Sequence, residues 1–323
     1  MARIPPQERD IHTPPHNFFP DLLCRAQNPD GGWGYRRGLQ STVEPTAWSI
    51  LALLAYEGPS DEVISSACEW LRRSQIDVGA WPTGSGKDSG CWVTALACLA
   101  LANAGEASTG SVARGTKWLC DSWPAEGNLL WRLRQLRQQK SKAVVHQDHS
   151  LRGWGWTPNT ASWVEPTAYV MILLQSLSPD LRPQQATRRM ELAEQMLYDR
   201  ACPGGGWNAG NPLVYGVPGV PRIGPTAWAL LALRSNPRHS TIVEGLEWLE
   251  EQYQHPRSPA SLALTQLCLK AFSRPTRAID GALYDFYSSR EFLQSIPVVA
   301  WASLALSDLP RWLESSSQER GAK

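Results

Sequence analysis

The stretch QNPDGGWGYRRGLQSTVEPTAWSILALLA, from Gln27 to Ala55, decides the fold. It joins a polar, glycine-rich turn ending on Trp33, a variable loop, and a segment opened by Glu44-Pro45-Thr46. Pro45 suits the first position of a helix, where its fixed φ fits and its missing N–H would be an orphan anyway. From Thr46 onward the segment is apolar on nearly every side, with Trp48, Ile50, Leu51, Leu53 and Leu54. A helix that is hydrophobic all round is a buried one.

Imperfect copies of this cassette fill the chain. EWLRRSQ, VGAW and VTALACLALA run from Glu69 to Ala102; GWGW and VEPTAYVMILL from Gly153 to Leu174; GGGW and IGPTAWALLAL from Gly204 to Leu233. EWLEEQ with SLALTQLCLKAF (Glu247 to Phe272) and IPVVAWASLAL (Ile296 to Leu306) are partial copies. Thr46, Thr94, Thr167 and Thr226 head four matched inner segments. Repetition of one outer amphipathic and one buried helix marks an all-α repeat array.

The repeats run without a linker, so the 323 residues read as one repeat domain over 20–309, with an extended arm at 1–19 and a flexible tail at 310–323. Outer helices are expected at 21–27, 60–74, 113–119 and 183–198, the last with Pro183 in a first helical position. An insert at about 124–152 interrupts the period. Its Arg132, Arg134, Arg137, Lys140 and Lys142 read either as a solvated helix face or as a contact for lipid headgroups or a diphosphate. The Gly/Pro stretch 203–224 has the length of a lid or binding loop.

Bulk composition excludes several classes. A net charge of +1 gives no electrostatic case for nucleic acid. No run reaches the roughly 18 apolar residues of a membrane span, and MARIPPQERDIHTPPH has no signal-peptide core. The seven cysteines are scattered without a Cys-x-x-Cys pair, which points to a reducing, cytoplasmic setting. Sixteen tryptophans must line a packed seam or a cavity.

An aromatic–Leu pair, then Gln, then Gly-x-Trp resembles the QW motif of squalene-hopene and oxidosqualene cyclases, a repeat shared with protein prenyltransferase β-subunits. Trp70-Leu71 with Gln75, Gly79 and Trp81, and Gln27 with Gly31 and Trp33, carry the resemblance, which covers about residues 20–306. It implies a single (α/α) toroid or barrel of helical hairpins. Inner helices would surround a central cavity, and each Gly-x-Trp turn would be a clasp, with Gln capping a helix end.

The resemblance also implies chemistry. Class II terpene cyclases protonate an alkene or epoxide with an acid in D-x-D-D-T-A. Thr42 to Ala47 and Trp163 to Ala168 occupy that motif here, with Glu44 and Glu165 in the acid's place and both flanking aspartates replaced. Each glutamate reads either as a proton donor or as a residue favoured at a helix start by capping and the dipole. Trp48, Tyr169, Trp228 and Trp301 near inner-helix starts, with Trp92, would bind an isoprenoid and stabilise carbocations, or serve as core. Asp148 and His149, in His146-Gln147-Asp148-His149, are a further binding or acid–base pair, or a polar loop.

A prenyltransferase-like zinc site would need D-x-C and a later His. Asp88-Ser89-Gly90-Cys91 is one residue too long and no His follows at an inner-helix mouth, so zinc lacks a complete set and no cofactor is expected. The expected partner is a hydrophobic isoprenoid, with a partner subunit or peripheral membrane contact also open. A non-catalytic barrel binding an isoprenoid lipid, peptide or protein is the alternative to a cyclase.

Overall fold

The computed structural model describes residues 17–56, 61–84, 89–127, 147–253, 258–276, 283, 286 and 294–313. Among them run α1 (Phe18–Ala26), α2 (Val43–Leu53), α3 (Asp61–Arg73), α4 (Val93–Leu101), α5 (Gly110–Asp121), α6 (Val164–Ser176), α7 (Ala186–Asp199), α8 (Ile223–Leu233), α9 (Ser240–Tyr253), α10 (Pro259–Ala271) and α11 (Ile296–Leu306). Helices α2, α4, α6, α8, α10 and α11 are buried on nearly every side. Each packs against the next in that order, and α11 packs back against α2, closing a ring of six. Helices α1, α3, α5, α7 and α9 are amphipathic and pack on the outside of the ring. The fold is an α/α barrel.

One clasp recurs four times between an outer helix and the inner helix that follows it. The indole Nε1–H of Trp33, Trp81, Trp154 and Trp207 donates to the carbonyl of Leu23, Leu71, Leu119 and Leu197, at 2.7–2.8 Å. The backbone N–H of the same tryptophans donates to the hydroxyl of Thr46, Thr94, Thr167 and Thr226, at 2.8–2.9 Å. The indole thereby meets one orphan carbonyl of the outer helix, and the backbone N–H of the same residue ties the turn to the threonine hydroxyl of the inner helix. Gln27 and Gln75 join neighbouring units: their side-chain amides donate to Gly31 and Gly79 within the turn, and to Val63 and Ser111 in the next outer helix. At Gly79 φ is +87°, and a Cβ would come within 2.8 Å of Arg114, so the turn requires glycine.

The third and fourth units depart from this pattern in different ways. In the third, the insert stretches the Leu-to-Trp separation from 10 residues to 35. Arg189 of α7 takes over the joining role from the far side. Its guanidinium donates to the carbonyls of Cys120, Ser122 and Gly153 and lies between the rings of Trp123 and Trp154, 4.0 and 4.3 Å away. In the fourth, the Trp-to-Thr separation is 19 residues where the others have 13. The excess emerges as a hairpin of β1 (Leu213–Val214) and β2 (Val217–Pro218).

Some expected boundaries move. Helix α2 begins at Val43 and α7 at Ala186, so neither Pro45 nor Pro183 holds the first helical position. Phe19 is already packed in α1, and Trp312 and Leu313 are buried beyond residue 309, so the packed chain extends past the expected limits at both ends. The basic segment of the insert, 128–146, lies outside the described residues.

The clasp makes a stability prediction. Thr94→Val removes the acceptor of the buried Trp81 N–H and should cost about 1–3 kcal/mol in urea unfolding, with Thr94→Ser costing less. Equal stability of Thr94→Val and the parent protein would show that the bond contributes nothing.

Candidate functional site

Each clasp fixes where an inner helix begins, so residues at equal offsets from the clasp threonine share a level of the ring. Two positions before the threonine stand Glu44, Trp92, Glu165 and Gly224; two positions after it stand Trp48, Leu96, Tyr169 and Trp228. The first set lies at the mouth where the inner helices start, and the second forms the floor beneath it.

Glu44 and Glu165 are half-buried at that mouth. Burial pushes both carboxyls above their ordinary value. For Glu165, the charge of Glu44 adds to the upward push. For Glu44, the Tyr35 hydroxyl donates to its carboxylate and opposes the rise. The start of α8 runs close by, and a Cβ on Gly224 would lie 3.7 Å from Glu165 Oε1. Neither α2 nor α6 has a side-chain cap bond at its N-terminus. The Glu44 carboxylate turns to Tyr35 instead of to backbone N–H groups.

The floor is aromatic and closed on itself. Trp48 and Trp228 come from helices on opposite sides of the ring and stack across its axis, centroids 5.2 Å apart and planes 25° apart. Tyr169 meets both edge-on at 6.1 and 5.1 Å, and Trp301 packs against them at 6.0 and 6.4 Å. Trp92 stacks on Tyr169 at 5.5 Å and meets Trp156 edge-on at 5.1 Å. The expected aromatic residues are therefore together. At this level they pack on one another across the axis, as the reading of these residues as core has it. The indole N–H groups of Trp48 and Trp301 are buried without a hydrogen-bond partner, a cost of about 1–3 kcal/mol each. A recess of about 660 Å³ opens at the opposite end, between Leu51, Leu54, Tyr56, Asn103, Leu309 and Trp312.

Asp148 and His149 join a different group. The Asp148 carboxylate accepts from the Ser150 N–H and its own N–H donates to Asp199. His149 feels Arg200, Glu126, Asp148 and Asp199, and burial with Arg200 lowers its pKa. This cluster stands at the foot of the insert, and its partners are not those of Glu44 or Glu165. Cys91 is buried with its thiol directed at the Trp81 carbonyl, while Asp88 and His146 lie outside the described residues. Tyr35 was not legible as part of the site, because it sits in the variable loop with only its position nine residues before Glu44 to mark it.

No family model matches the sequence. A 71-residue stretch is 37% identical to lanosterol synthase of Saccharomyces cerevisiae, covering 19% of this chain and 10% of that protein. Squalene–hopene cyclase of Zymomonas mobilis is 31% identical over 70 residues, 18% of this chain and 11% of the relative. The matched stretch thus spans about a tenth of the length of these relatives. The type II terpene cyclase MstE of Scytonema, in a variant with geranylgeranyl dihydroxybenzoate as substrate, superposes with TM-score 0.61 at 14% identity, over 92% of this chain and 96% of that one. A second variant, with merosterolic acid A as product, gives 0.59 at 14% identity over 90% and 94%. A protein from Actinoplanes gives 0.58 at 17% identity over 89% and 96%. The fold is that of the type II terpene cyclase barrels, and the sequence resembles squalene–hopene cyclase-type proteins.

The raised carboxyls carry a pH signature. A carboxyl held above its ordinary value of 4.5 in the folded state lends stability that is complete below that value. That stability is lost as pH rises through the raised folded value. Melting curves from about pH 4 to about pH 8 should show the parent losing ground to the Glu44→Gln/Glu165→Gln double variant as pH rises. Parallel curves would contradict the shifts.

Proposed function

We propose that this protein is an acid-initiated cyclase of an isoprenoid-bearing substrate, working at the mouth of the barrel above the aromatic floor. The observation that carries this reading is the pair of desolvated carboxyls, Glu44 and Glu165, placed by the repeat over Trp48, Tyr169 and Trp228. Glu165 is the proton donor. Burial and the neighbouring Glu44 charge both favour its protonated form, and no lowering influence opposes them. Glu44, anchored by the Tyr35 hydroxyl, is the fixed anionic partner.

Protonation would transfer the Glu165 proton to one carbon of an alkene and leave a carbocation on the other. Ring closure then follows as a neighbouring alkene attacks that cation. The faces of Trp48, Tyr169 and Trp228 stabilise the positive charge by cation–π attraction, and loss of a proton to a carboxylate ends the sequence. Because the Trp48–Trp228 stack closes the axis, the reacting end of the substrate lies between the floor and the loops. The solved relative that holds geranylgeranyl dihydroxybenzoate supports a prenylated aromatic among the candidates.

One observation favours a second reading, a barrel that binds an isoprenoid lipid without transforming it. The rings at the centre already pack on one another, and the roomier space is the recess at the other end.

The test uses squalene, oxidosqualene, geranyl, farnesyl and geranylgeranyl diphosphates and geranylgeranyl dihydroxybenzoate, with products read by mass spectrometry. A cyclised product is expected, lowered by on the order of 10²-fold or more in Glu165→Gln and by less in Glu44→Gln. Product formation unchanged in Glu165→Gln removes it as donor. No product from any substrate, with lipid still bound, assigns the barrel to the second reading.

A further inference from the structure

Each ring of the aromatic floor has a partner one helical turn before it, at the mouth. Four residues before Trp48, Tyr169, Trp228 and Trp301 stand Glu44, Glu165, Gly224 and Pro297. Residues four apart share one face of a helix, and a helical side chain leans toward the N-terminus, so each ring lies under its partner. Three of the four partners carry a side chain. Gly224 carries none, and its helix α8 stands across the ring from α2, the helix of Glu44.

Neither backbone nor packing calls for glycine at this position. Gly224 lies in the first turn of α8 and its φ is not positive. A Cβ there would meet one atom of the described residues within 4 Å, Glu165 Oε1 at 3.7 Å, which is ordinary van der Waals contact. By contrast, a Cβ on Gly115 would come to 2.3 Å from the Cys98 sulfur, and one on Gly153 to 2.2 Å from the Thr167 hydroxyl. Close packing excludes a side chain at those two positions, and it does not at 224. Glycine within a helix is also less stable than alanine. What glycine provides here is open space beside the Glu165 carboxyl.

We propose that the space over Gly224 seats the alkene end of the substrate, and that the missing side chain is the specificity determinant that admits it. The assignment rests on the cyclase reading, with Glu165 as donor. An alkene carbon resting where a Cβ would stand touches the Glu165 oxygen. A small further approach brings it to the roughly 3–3.5 Å of a reactive geometry. Trp228, one turn along the same helix, lies under the seat with its ring face available to a cation. Bare backbone, an aromatic ring and one carboxyl are the surfaces a ligand meets there, and they suit an alkene carbon with its methyl groups. Any side chain at 224 would compete for the same space.

The test compares the full-length parent with Gly224→Ala and Gly224→Val. Three properties are read: melting temperature, turnover of the same isoprenoid panel, and carbon-13 titration of Glu165 with and without hydrogenated, non-reacting analogues of those compounds. Gly224→Ala should melt at or above the parent, since it gains a better helix former and clashes with nothing described. Its kcat/KM should still fall on the order of tenfold, and that of Gly224→Val on the order of a hundredfold. A bound analogue should displace water from Glu165 and raise its titration in the parent, and should leave it unmoved in Gly224→Val. Equal turnover by parent and Gly224→Val overturns the seat while the cyclase reading stands. An analogue that binds the parent without moving Glu165 overturns the seat as well. A Glu165 shift that Gly224→Val abolishes, with no product from any substrate, upholds the seat and removes the cyclase reading. Parent protein that neither binds an analogue nor turns over a substrate overturns both.

Discussion

The buried clasp by which a turn tryptophan joins an outer-helix carbonyl to an inner-helix threonine is the constraint on which the barrel depends. Its two hydrogen bonds set how far the chain travels between leaving an outer helix and entering an inner one. Repeated four times, it starts four inner helices at one height. Positions counted from the threonine then become levels of the ring. Two residues before it lies the level of Glu44 and Glu165, and two residues after it the aromatic level, so one clasp positions both halves of the proposed site. Where the connection lengthens, as at the insert and the hairpin, the extra chain is put outside the clasp and the bond distances stay the same.

Much of this was legible in the sequence. The apolar runs headed by Thr46, Thr94, Thr167 and Thr226 fixed the number and burial of four inner helices, and recurring Gly-x-Trp placed the turns. The partner of each threonine was not legible, since a hydroxyl thirteen or nineteen residues from its donor leaves no local pattern. Arg189 was missed for a similar reason. It replaces a glutamine of the preceding unit from a helix nearly 70 residues further on, and reads in sequence as an ordinary exposed-face arginine. Its burial depends on Trp123 and Trp154, which only the folded chain brings together.

The residues of the proposed site could be named from the sequence, but not their arrangement. Glu44 and Glu165 hold matching places in the repeat, each at the start of an inner helix, and the Glu44 charge acts on Glu165. Trp48 and Trp228 were read either as facing a cavity or as core; they face each other, because helices at diametric positions of a six-membered ring point equivalent side chains at one axis. Tyr35 and Gly224 could not be singled out, one lying in a variable loop and the other being the absence of a side chain beside Glu165. The same aromatic floor has two consequences that pull apart: it offers π faces to a cation and closes the space below it.

The most direct measurement is the titration of the glutamate side chains by carbon-13 NMR, with Glu44→Gln and Glu165→Gln assigning the two signals. The account predicts that Glu165 titrates above the ordinary 4.5 and moves down toward it when Glu44 is replaced. Both carboxyls titrating at or below 4.5, or a Glu165 signal indifferent to Glu44, would contradict a coupled acid pair at the mouth of the barrel.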